Sequence, residues 1–345
     1  MHQPRIQILC TLGPASLDPA IVGRLDECGV DLFRINLSHT PLEVVEATLQ
    51  LVRSASPKPI CLDTEGPQVR CGLIEEGTVL TEGRFVRLVR SEILGTADSL
   101  TLRPAATFDV LAAGSVVEID FDGVELRVTE VGDDHAEAVV TSPGRVRSNK
   151  AVVVEPAPPL PTLSQRDLAG IQVGAQLGIT HYAMSFARSA DDVALIRRLA
   201  PPGSYIIGKI ESSAGVRGMD GIITAADAVL IDRGDLSKEI PLEYVPFYQK
   251  AIVRRANRWT KPVFVATNLL ESMTANRTPT VAEANDIANT LLDGVHGLVL
   301  AAETAIGIDP VGSVAMVGRL IRAFERTNFG SLLERDRQLA ALPVE

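Results

Sequence analysis

Charged and hydroxyl side chains recur at the ends of apolar segments, where they would meet if those segments were parallel strands. They are Lys209 and Glu211 in YIIGKIE, Asp235 after AVLIDRG, Arg34 in DLFRINL and Thr267 after PVFVA. Carboxylate oxygens are hard ligands that suit Mg²⁺ or Mn²⁺, and lysine and arginine bind phosphate and carboxylate groups. The set predicts a site that holds a phosphorylated carboxylate through a divalent cation at Glu211 and Asp235.

Two other interpretations of these residues exist. Lys209 with Glu211, and Arg233 with Asp235, would also serve as ion pairs that only stabilise loops. The segment from Gly203 to Lys209 matches most of a phosphate-binding loop, GxxxxGK[ST]. That loop is rejected, because Ile210 stands where the motif needs a hydroxyl and the intervening residues form a strand-like run.

A second polar cluster offers oxygen atoms without added positive charge. It consists of Asn36, Ser38, Asp63 and Thr64. These residues suit a monovalent cation such as K⁺, or equally would cap the helices that follow. His39 comes directly after the cluster and is either a ligand contact or a surface residue.

The elements that must position these side chains alternate along the chain. Eight short apolar runs, typical of parallel strands buried on both faces, begin at Ile6, Asp31, Pro59, His181, Tyr205, Ala228, Pro262 and Gly297. Helical periodicity separates them, with capping boxes at Ser164–Asp167 and Thr280–Glu283. This alternation predicts an α/β fold, a (β/α)₈ TIM barrel with its chemistry at the carboxyl ends of the strands.

One stretch breaks the alternation. Residues 68–151 contain short alternating strands and turn signals, which predict an inserted small antiparallel β-barrel domain. The expected domains are therefore a catalytic barrel at 1–67 and 152–345, and a lid at 68–151. Four prolines in VVVEPAPPLPTLS predict a stiff return linker.

Composition narrows the possible partners and compartment. The net charge of -10 and the lack of basic runs argue against nucleic acid and anionic lipid as partners. No apolar stretch is long enough to predict a membrane span, and no secretion signal appears at the N-terminus. The four cysteines form no CxxC pair and predict free thiols, so a cytoplasmic protein is expected.

Eight segments in order resemble the signatures of the pyruvate kinase family. They are CTLGPAS, RINLSH, LDTEGPQVR, GKIESSAGV, DRGDLSKEIP, ATNLLESM, RTPTVAEANDIAN and AAETAIG. The resemblance covers about residues 6–325, including the insertion. It implies a barrel that binds phosphoenolpyruvate. Because only a short tail follows the eighth helix, no C-terminal regulatory domain is expected. Any homo-oligomer would then use barrel surfaces.

The resemblance also implies roles for individual residues. The catalytic residues would be Lys209, Arg34 and Thr267. The substrate would be bound by the same three residues together with Ser185, Gly234 and Asp235. Glu211 and Asp235 would hold Mg²⁺ or Mn²⁺. Asn36, Ser38, Asp63 and Thr64 would hold K⁺. Nucleotide-binding residues would be Pro14, His39, Arg70 and Lys150.

Several positions depart from the family pattern. Ala301, Ala302 and Ile306 stand where the family usually has a serine, a glycine and a lysine. Glu65 replaces a lysine, and Gln68 replaces a residue whose charge is linked to potassium dependence. Smaller departures are Ala151, Ser237 and Asn268. The loss of positive charge at these positions weakens the prediction of ADP as a substrate more than that of phosphoenolpyruvate.

Three functions follow from the sequence. The first is phosphoryl transfer between phosphoenolpyruvate and a nucleoside diphosphate, which gives pyruvate and ATP. The second is another reaction of the enolate, or transfer to another acceptor, on the same metal site. The third is a non-catalytic metabolite-binding protein. The intact set of metal, lysine, arginine and threonine residues favours the first.

Overall fold

The computed structural model describes residues 5–119, 123–156 and 158–327, so the tail predicted after the last helix, residues 328–345, lies outside the described residues. The chain forms two compact units. The first comprises residues 1–66 and 163–345, and the second comprises residues 67–162. Residues 152–162, which the sequence assigned to the barrel, fall in the second unit because Ala151–Glu155 pairs with two strands of the insertion.

The first unit is a closed barrel of eight parallel strands, as predicted from the apolar runs. Its strands are β1 (Gln7–Thr11), β2 (Leu32–Asn36), β3 (Ile60–Asp63), β13 (His181–Met184), β14 (Tyr205–Ile210), β15 (Ala228–Asp232), β16 (Val263–Ala266) and β17 (Gly297–Leu300). Their order, β1-β17-β16-β15-β14-β13-β3-β2, follows the chain around the ring. All strand ends that carry the predicted site therefore share one mouth.

Helices follow the strands and cover the barrel. They are α1 (Pro19–Glu27), α2 (Leu42–Ala55), α3 (Gln165–Gln176), α4 (Ala190–Leu199), α5 (Ser213–Arg217), α6 (Met219–Ala225), α7 (Arg233–Glu239), α8 (Val245–Arg258), α9 (Val281–Leu292), α10 (Ala302–Ala305) and α11 (Pro310–Arg326). Both predicted capping boxes are confirmed at the starts of α3 and α9. Apolar side chains between strands and helices form one large core, and a smaller cluster fills the barrel interior. In the described part of the chain, no helix is both long and apolar enough to cross a membrane.

The second unit has a core of its own and forms a closed seven-stranded barrel with a separate strand pair. Its strands are β4 (Val69–Cys71), β5 (Val79–Leu80), β6 (Phe85–Val89), β7 (Ser99–Arg103), β8 (Val116–Ile119), β9 (Val124–Val131), β10 (His135–Ser142), β11 (Gly144–Arg145) and β12 (Ala151–Glu155). Most pairs are antiparallel, as expected. The exception is β6 with β7, which is parallel because residues 90–98 cross over instead of forming a hairpin.

Candidate active site

A buried ion-pair network lies at the ends of β2, β3 and β14. Arg34 Nε donates to Asp63 Oδ2 at 2.6 Å, and Arg34 Nη2 is also paired with this oxygen. Lys209 Nζ lies 3.2 Å from the same Oδ2. Burial alone would raise the pKa of Asp63, but the two cations lower it below its usual value. Asp63 thus stays ionised and holds both cations in place.

Lys209 is almost completely buried, and its ammonium group has three partners. Besides Asp63, Nζ donates to Ser185 Oγ at 2.9 Å and lies 3.1 Å from Glu211 Oε2. Burial would lower the pKa of Lys209, yet Asp63 and Glu211 raise it above its ordinary value. The lysine is therefore a fixed positive charge and not a proton donor at neutral pH. The predicted pair of Lys209 with Glu211 is present, and Ser185 contacts the lysine.

Three carboxylates meet next to this lysine. One oxygen each of Glu211, Asp232 and Asp235 lies within 4.8 Å of the others. Glu211 Oε1 accepts from Phe186 N–H at 2.8 Å, whereas the buried Oε2 accepts no hydrogen bond despite its distance to Lys209. Burial, together with Asp235 and Asp232, raises the pKa of Glu211 to about 8 against the lowering effect of Lys209.

Such a cluster needs positive charge to stay ionised. Hard oxygen atoms at this spacing, one of them buried without a hydrogen bond, fit a divalent cation such as Mg²⁺ or Mn²⁺. Sequence reasoning named Glu211 and Asp235 and missed Asp232. The signal was present in DRGD, where two aspartates three residues apart follow an apolar strand.

Asp232 also organises the start of α7. As the N-cap residue it accepts from Gly234 N–H, and its Oδ1 lies 2.9 Å from Thr267 Oγ1. Gly234 N–H donates to the same Thr267 hydroxyl at 2.7 Å. A Cβ at Gly234 would lie 3.3 Å from Thr267 Oγ1 and 3.4 Å from Asp232 Oδ1, so glycine keeps this approach close. The predicted substrate residues Gly234 and Thr267 are therefore brought together.

Backbone strain accompanies Thr267. Thr267 and Asn268 have φ values of 66° and 52°, a left-handed conformation that costs free energy for residues other than glycine. Arg233 compensates by donating to the carbonyl oxygens of both residues, and it pairs with Asp286. The predicted pair of Arg233 with Asp235 is absent from the described residues. Asp235 instead pairs with Lys238 at 2.6 Å.

A cavity of about 750 Å³ opens beside these groups. The predicted residues that line it are Pro14, Arg34, Asn36, His39, Gly234, Asp235 and Thr267. Lys209, Glu211, Asp63, Thr64 and Ser185 are buried and are not among its lining residues. Lys209 is linked to the cavity wall through Asp63, which also binds Arg34.

The predicted potassium ligands lie at the paired ends of β2 and β3, where Asn36 is the register partner of Asp63, but they already make protein contacts. Asn36 Oδ1 accepts from Ser38 N–H at 2.9 Å, and Thr64 Oγ1 accepts from Ser185 N–H at 2.9 Å. Asp63 Oδ1 lies 3.1 Å from Ser185 Oγ. The donor set is entirely oxygen, which suits K⁺, but Asp63 would have to share its carboxylate with Arg34 and Lys209.

The strand-eight side of the cavity is apolar. Ala301, Ala302, Ala305 and Ile306 line it, and Ile306 is 64% exposed. Glu303 and Thr304 of α10, which follows the eighth strand, are buried and serve the fold. Glu303 accepts from the N–H groups of Leu270 and Ala301, and Thr304 donates to Thr11 O. A position just after a strand end therefore does not by itself direct a side chain into the cavity.

Two predicted nucleotide-binding residues, Arg70 and Lys150, belong to the second unit. Arg70 Nη1 donates to Asn149 O at 2.8 Å, and Nη2 donates to Gln68 Oε1 at 2.6 Å. Lys150 O accepts from Cys71 N–H, which ties the residue before β12 to β4.

The fold and the site define an α/β-barrel protein with carboxylates and a lysine at the carboxyl ends of its strands. A family model described as pyruvate kinase, barrel domain, matches residues 3–314. The chain is 33% identical over 329 residues to the pyruvate kinase of Methylorubrum extorquens, covering 93% of this chain and 69% of that protein. This chain belongs to the pyruvate kinase family.

Two further relatives show similar identity. The pyruvate kinase of Bacillus licheniformis is 34% identical over 97% of this chain, and that of Geobacillus stearothermophilus is 37% identical over 90%. The chain spans 60% and 55% of the length of these two relatives.

Proposed function

We propose that this protein transfers a phosphoryl group between phosphoenolpyruvate and a nucleoside diphosphate, giving pyruvate and ATP. The observation that carries the proposal is the pairing of Lys209 Nζ with Glu211, whose carboxylate clusters with those of Asp232 and Asp235 beside a cavity lined by Arg34 and Thr267. Membership of the pyruvate kinase family supports it. The proposed roles of the two units, a catalytic barrel and a lid, belong to the same hypothesis.

Each residue has a role that its surroundings suggest. Glu211, Asp232 and Asp235 would hold Mg²⁺ or Mn²⁺, which neutralises charge on the enolate and phosphoryl oxygens when bound. Arg34 donates hydrogen bonds to the phosphoryl group from the cavity wall. Lys209 provides a fixed positive charge, which stabilises the loose transition state of phosphoryl transfer. Thr267 and Gly234 orient the carboxylate end of the substrate.

The same proposal includes a monovalent cation and a nucleoside. Asn36, Ser38, Asp63 and Thr64 would hold K⁺ through oxygen atoms. Pro14 and His39, both exposed at the cavity, would contact the nucleoside. A location in the cytoplasm, where these small-molecule substrates occur, is part of the proposal.

One observation favours a second candidate. The cavity wall formed by Ala301, Ala302 and Ile306 offers no hydroxyl group and no positive charge. That wall suits another reaction of the enolate, or another phosphoryl acceptor, on the same metal site.

The test follows pyruvate in a mixture of the protein, phosphoenolpyruvate, Mg²⁺, K⁺ and ADP, with oxalate and ATP titrated separately. Pyruvate formation that requires ADP and is lost in Lys209→Met supports nucleotide phosphorylation. Metal-dependent binding of oxalate without turnover of ADP supports the second candidate. Absence of both would contradict any enzymatic role for this site.

A further inference from the structure

A strained turn follows β16 at the proposed substrate site. Thr267 and Asn268 have φ values of 66° and 52°. This left-handed conformation is uncommon for residues other than glycine, and it is a genuine outlier for a β-branched residue such as threonine. Strain of this kind persists only where the surrounding structure holds the residue in place. The conformation of Thr267 therefore depends on contacts from other parts of the barrel.

Arg233 supplies contacts that hold the backbone of this turn. Its Nε and Nη2 donate to Thr267 O at 3.1 and 2.8 Å, and Nη2 also donates to Asn268 O at 2.9 Å. A guanidinium group presents its N–H donors in a rigid planar fork, so the two carbonyl oxygens are fixed relative to each other. Relaxation of Thr267 to a more common conformation would break these hydrogen bonds.

The residues on either side of Arg233 hold the hydroxyl group of Thr267. Gly234 N–H donates to Thr267 Oγ1 at 2.7 Å, and Oγ1 lies 2.9 Å from Asp232 Oδ1. Three consecutive residues of one turn thus fix Thr267, two at its hydroxyl group and one at its carbonyl group. Because the hydroxyl and the carbonyl belong to one residue, the hydrogen bonds of Arg233 also set where the hydroxyl lies beside the carboxylate cluster.

Arg233 itself lies behind the proposed substrate site. The described residues that line the cavity of about 750 Å³ include Thr267 but not Arg233, which lines a separate cavity of about 470 Å³. The side chain of Arg233 is only 11% exposed, and its Nη1 donates to Asp286 Oδ1 at 2.9 Å and lies 2.7 Å from Oδ2. A buried charge needs a partner, so Asp286 of α9 fixes the arginine in this position.

We propose that Arg233 is a positioning residue for substrate binding, which acts through Thr267, and that Asp286 holds Arg233 in place. The inference rests on the proposed function, in which Thr267 orients the carboxylate end of the substrate. It gives Arg233 a role beyond that of a loop-stabilising ion pair. Loss of the guanidinium fork would let the turn relax and would move the Thr267 hydroxyl away from the bound carboxylate.

The experiment titrates oxalate by calorimetry into the full chain with saturating Mn²⁺, because oxalate binding requires no turnover. Thr267→Val removes the hydroxyl group but keeps the branch at Cβ, and it should weaken oxalate binding about tenfold, the effect of one hydrogen bond to a charged group. Arg233→Gln should weaken binding about three- to tenfold. The double variant should lie within about twofold of the weaker single variant, because both changes affect the same hydroxyl group.

Two further variants grade the effect. Arg233→Lys keeps the charge but not the fork, so its oxalate affinity should fall between those of the unmodified protein and Arg233→Gln. It also covers the case of a poorly folded glutamine variant. Asp286→Asn keeps an acceptor for Nη1 but removes the charge that fixes it, and it should weaken oxalate binding about two- to threefold.

The matched control is Arg197→Gln, because Arg197 makes the same kinds of contact at the other end of the barrel. It donates to the carbonyl oxygens of Ser204 and Ala225, and its Nη2 lies 3.0 Å from Asp227 Oδ2. Ser204 and Asp227 directly precede β14 and β15. Arg197→Gln should lower the melting temperature but leave the oxalate affinity within about twofold of that of the unmodified protein.

A purely structural arginine predicts that Arg233→Gln lowers the melting temperature without changing the oxalate affinity, or that the losses of Arg233→Gln and Thr267→Val multiply in the double variant. Either result, or equal losses in Arg233→Gln and Arg197→Gln, overturns the proposal. Failure of the unmodified protein to bind oxalate overturns it together with the proposed function. Coupled losses of oxalate affinity in a protein that forms no pyruvate would contradict the proposed function alone and support the positioning role.

Discussion

The two sides of the barrel cavity are built from opposite kinds of residue. On one side Arg34, Asp232 and Asp235 line the space, backed by the buried Lys209 and Glu211. On the other side the wall consists of Ala301, Ala302, Ala305 and Ile306. Buried charges are stable only when paired, so the side chains of the charged side must form a complete network of ion pairs and hydrogen bonds. The apolar side chains need only pack together.

In the proposed reaction, this contrast separates two parts. The charged side would bind the phosphoryl donor and the divalent cation. The apolar side contributes no donor or charge that would select one acceptor. For the proposed reaction, the barrel would therefore determine the donor more strongly than the acceptor.

Of the changes on the charged side, replacing Lys209 should cause the largest loss of activity. Lys209→Met is expected to lower the turnover of phosphoenolpyruvate about 10²–10³-fold, because a fixed charge at the reacting group is lost. It should also lower stability, since Asp63 and Glu211 remain buried with less compensation. Steady-state pyruvate formation and urea unfolding measure the two effects.

The control is Lys261→Met. Lys261 is partly buried and donates to Ala226 O, but it precedes β16 at the opposite end of the barrel. Its turnover should stay within about twofold of that of the unmodified protein. Equal losses in both variants would contradict a catalytic role for Lys209.

Asp232 should be needed for the divalent cation. Asp232→Asn is expected to weaken Mn²⁺ binding about 10–100-fold, because it removes charge from the cluster and disturbs Thr267. Electron paramagnetic resonance of free Mn²⁺ gives the affinity. Asp227→Asn, at the other end of the same strand, serves as the control and should leave the affinity unchanged. Unchanged binding in Asp232→Asn would exclude it as a ligand.

A lysine at position 306 would place a positive charge on the apolar side of the cavity and so test which acceptor this side binds. If a nucleoside diphosphate is the acceptor, Ile306→Lys should lower the KM for ADP about two- to fivefold through one exposed ion pair. Ile308→Lys is the matched control, because Ile308 is 60% exposed and is not among the residues that line the cavity. A similar change in both variants would show a general charge effect.

The raised pKa of Glu211 predicts a dependence of stability on pH in the metal-free protein. Between its ordinary value of 4.5 and about 8, the folded protein binds more protons at Glu211 than the unfolded chain does. The contribution of Glu211 to the free energy of unfolding should therefore fall as the pH rises through that range.

Urea unfolding in EDTA from about pH 5 to pH 8 tests this, with Glu211→Gln as the comparison. The difference in unfolding free energy between the two proteins should shift in favour of Glu211→Gln as the pH rises. A constant difference would mean that Glu211 has an ordinary pKa.

The sequence predicted the barrel and much of its polar mouth because strand ends are marked by abrupt changes from apolar to charged residues. Lys209, Glu211 and Asp235 could be found in this way. Asp232 was missed although DRGD marks it, because its helix-capping role masks a second function. Glu303 points inward and accepts from the backbone N–H of Leu270. Side-chain direction depends on tertiary contacts that local pattern does not specify.

Contacts between residues distant in sequence also could not be predicted. The parallel pair β6 and β7 depends on how residues 90–98 cross the sheet, which short alternating patterns do not determine. The strain at Thr267 also has no local signal, since it depends on Arg233 holding two carbonyl oxygens.

The most direct test of the site is a crystal structure with Mn²⁺ and oxalate, in which anomalous scattering locates the metal. The account predicts one ion in contact with oxygens of Glu211 and Asp235, or of Asp232, with oxalate bound beside it and within reach of Lys209 and Thr267. An ion and oxalate bound elsewhere, with these carboxylates left without metal, would contradict it.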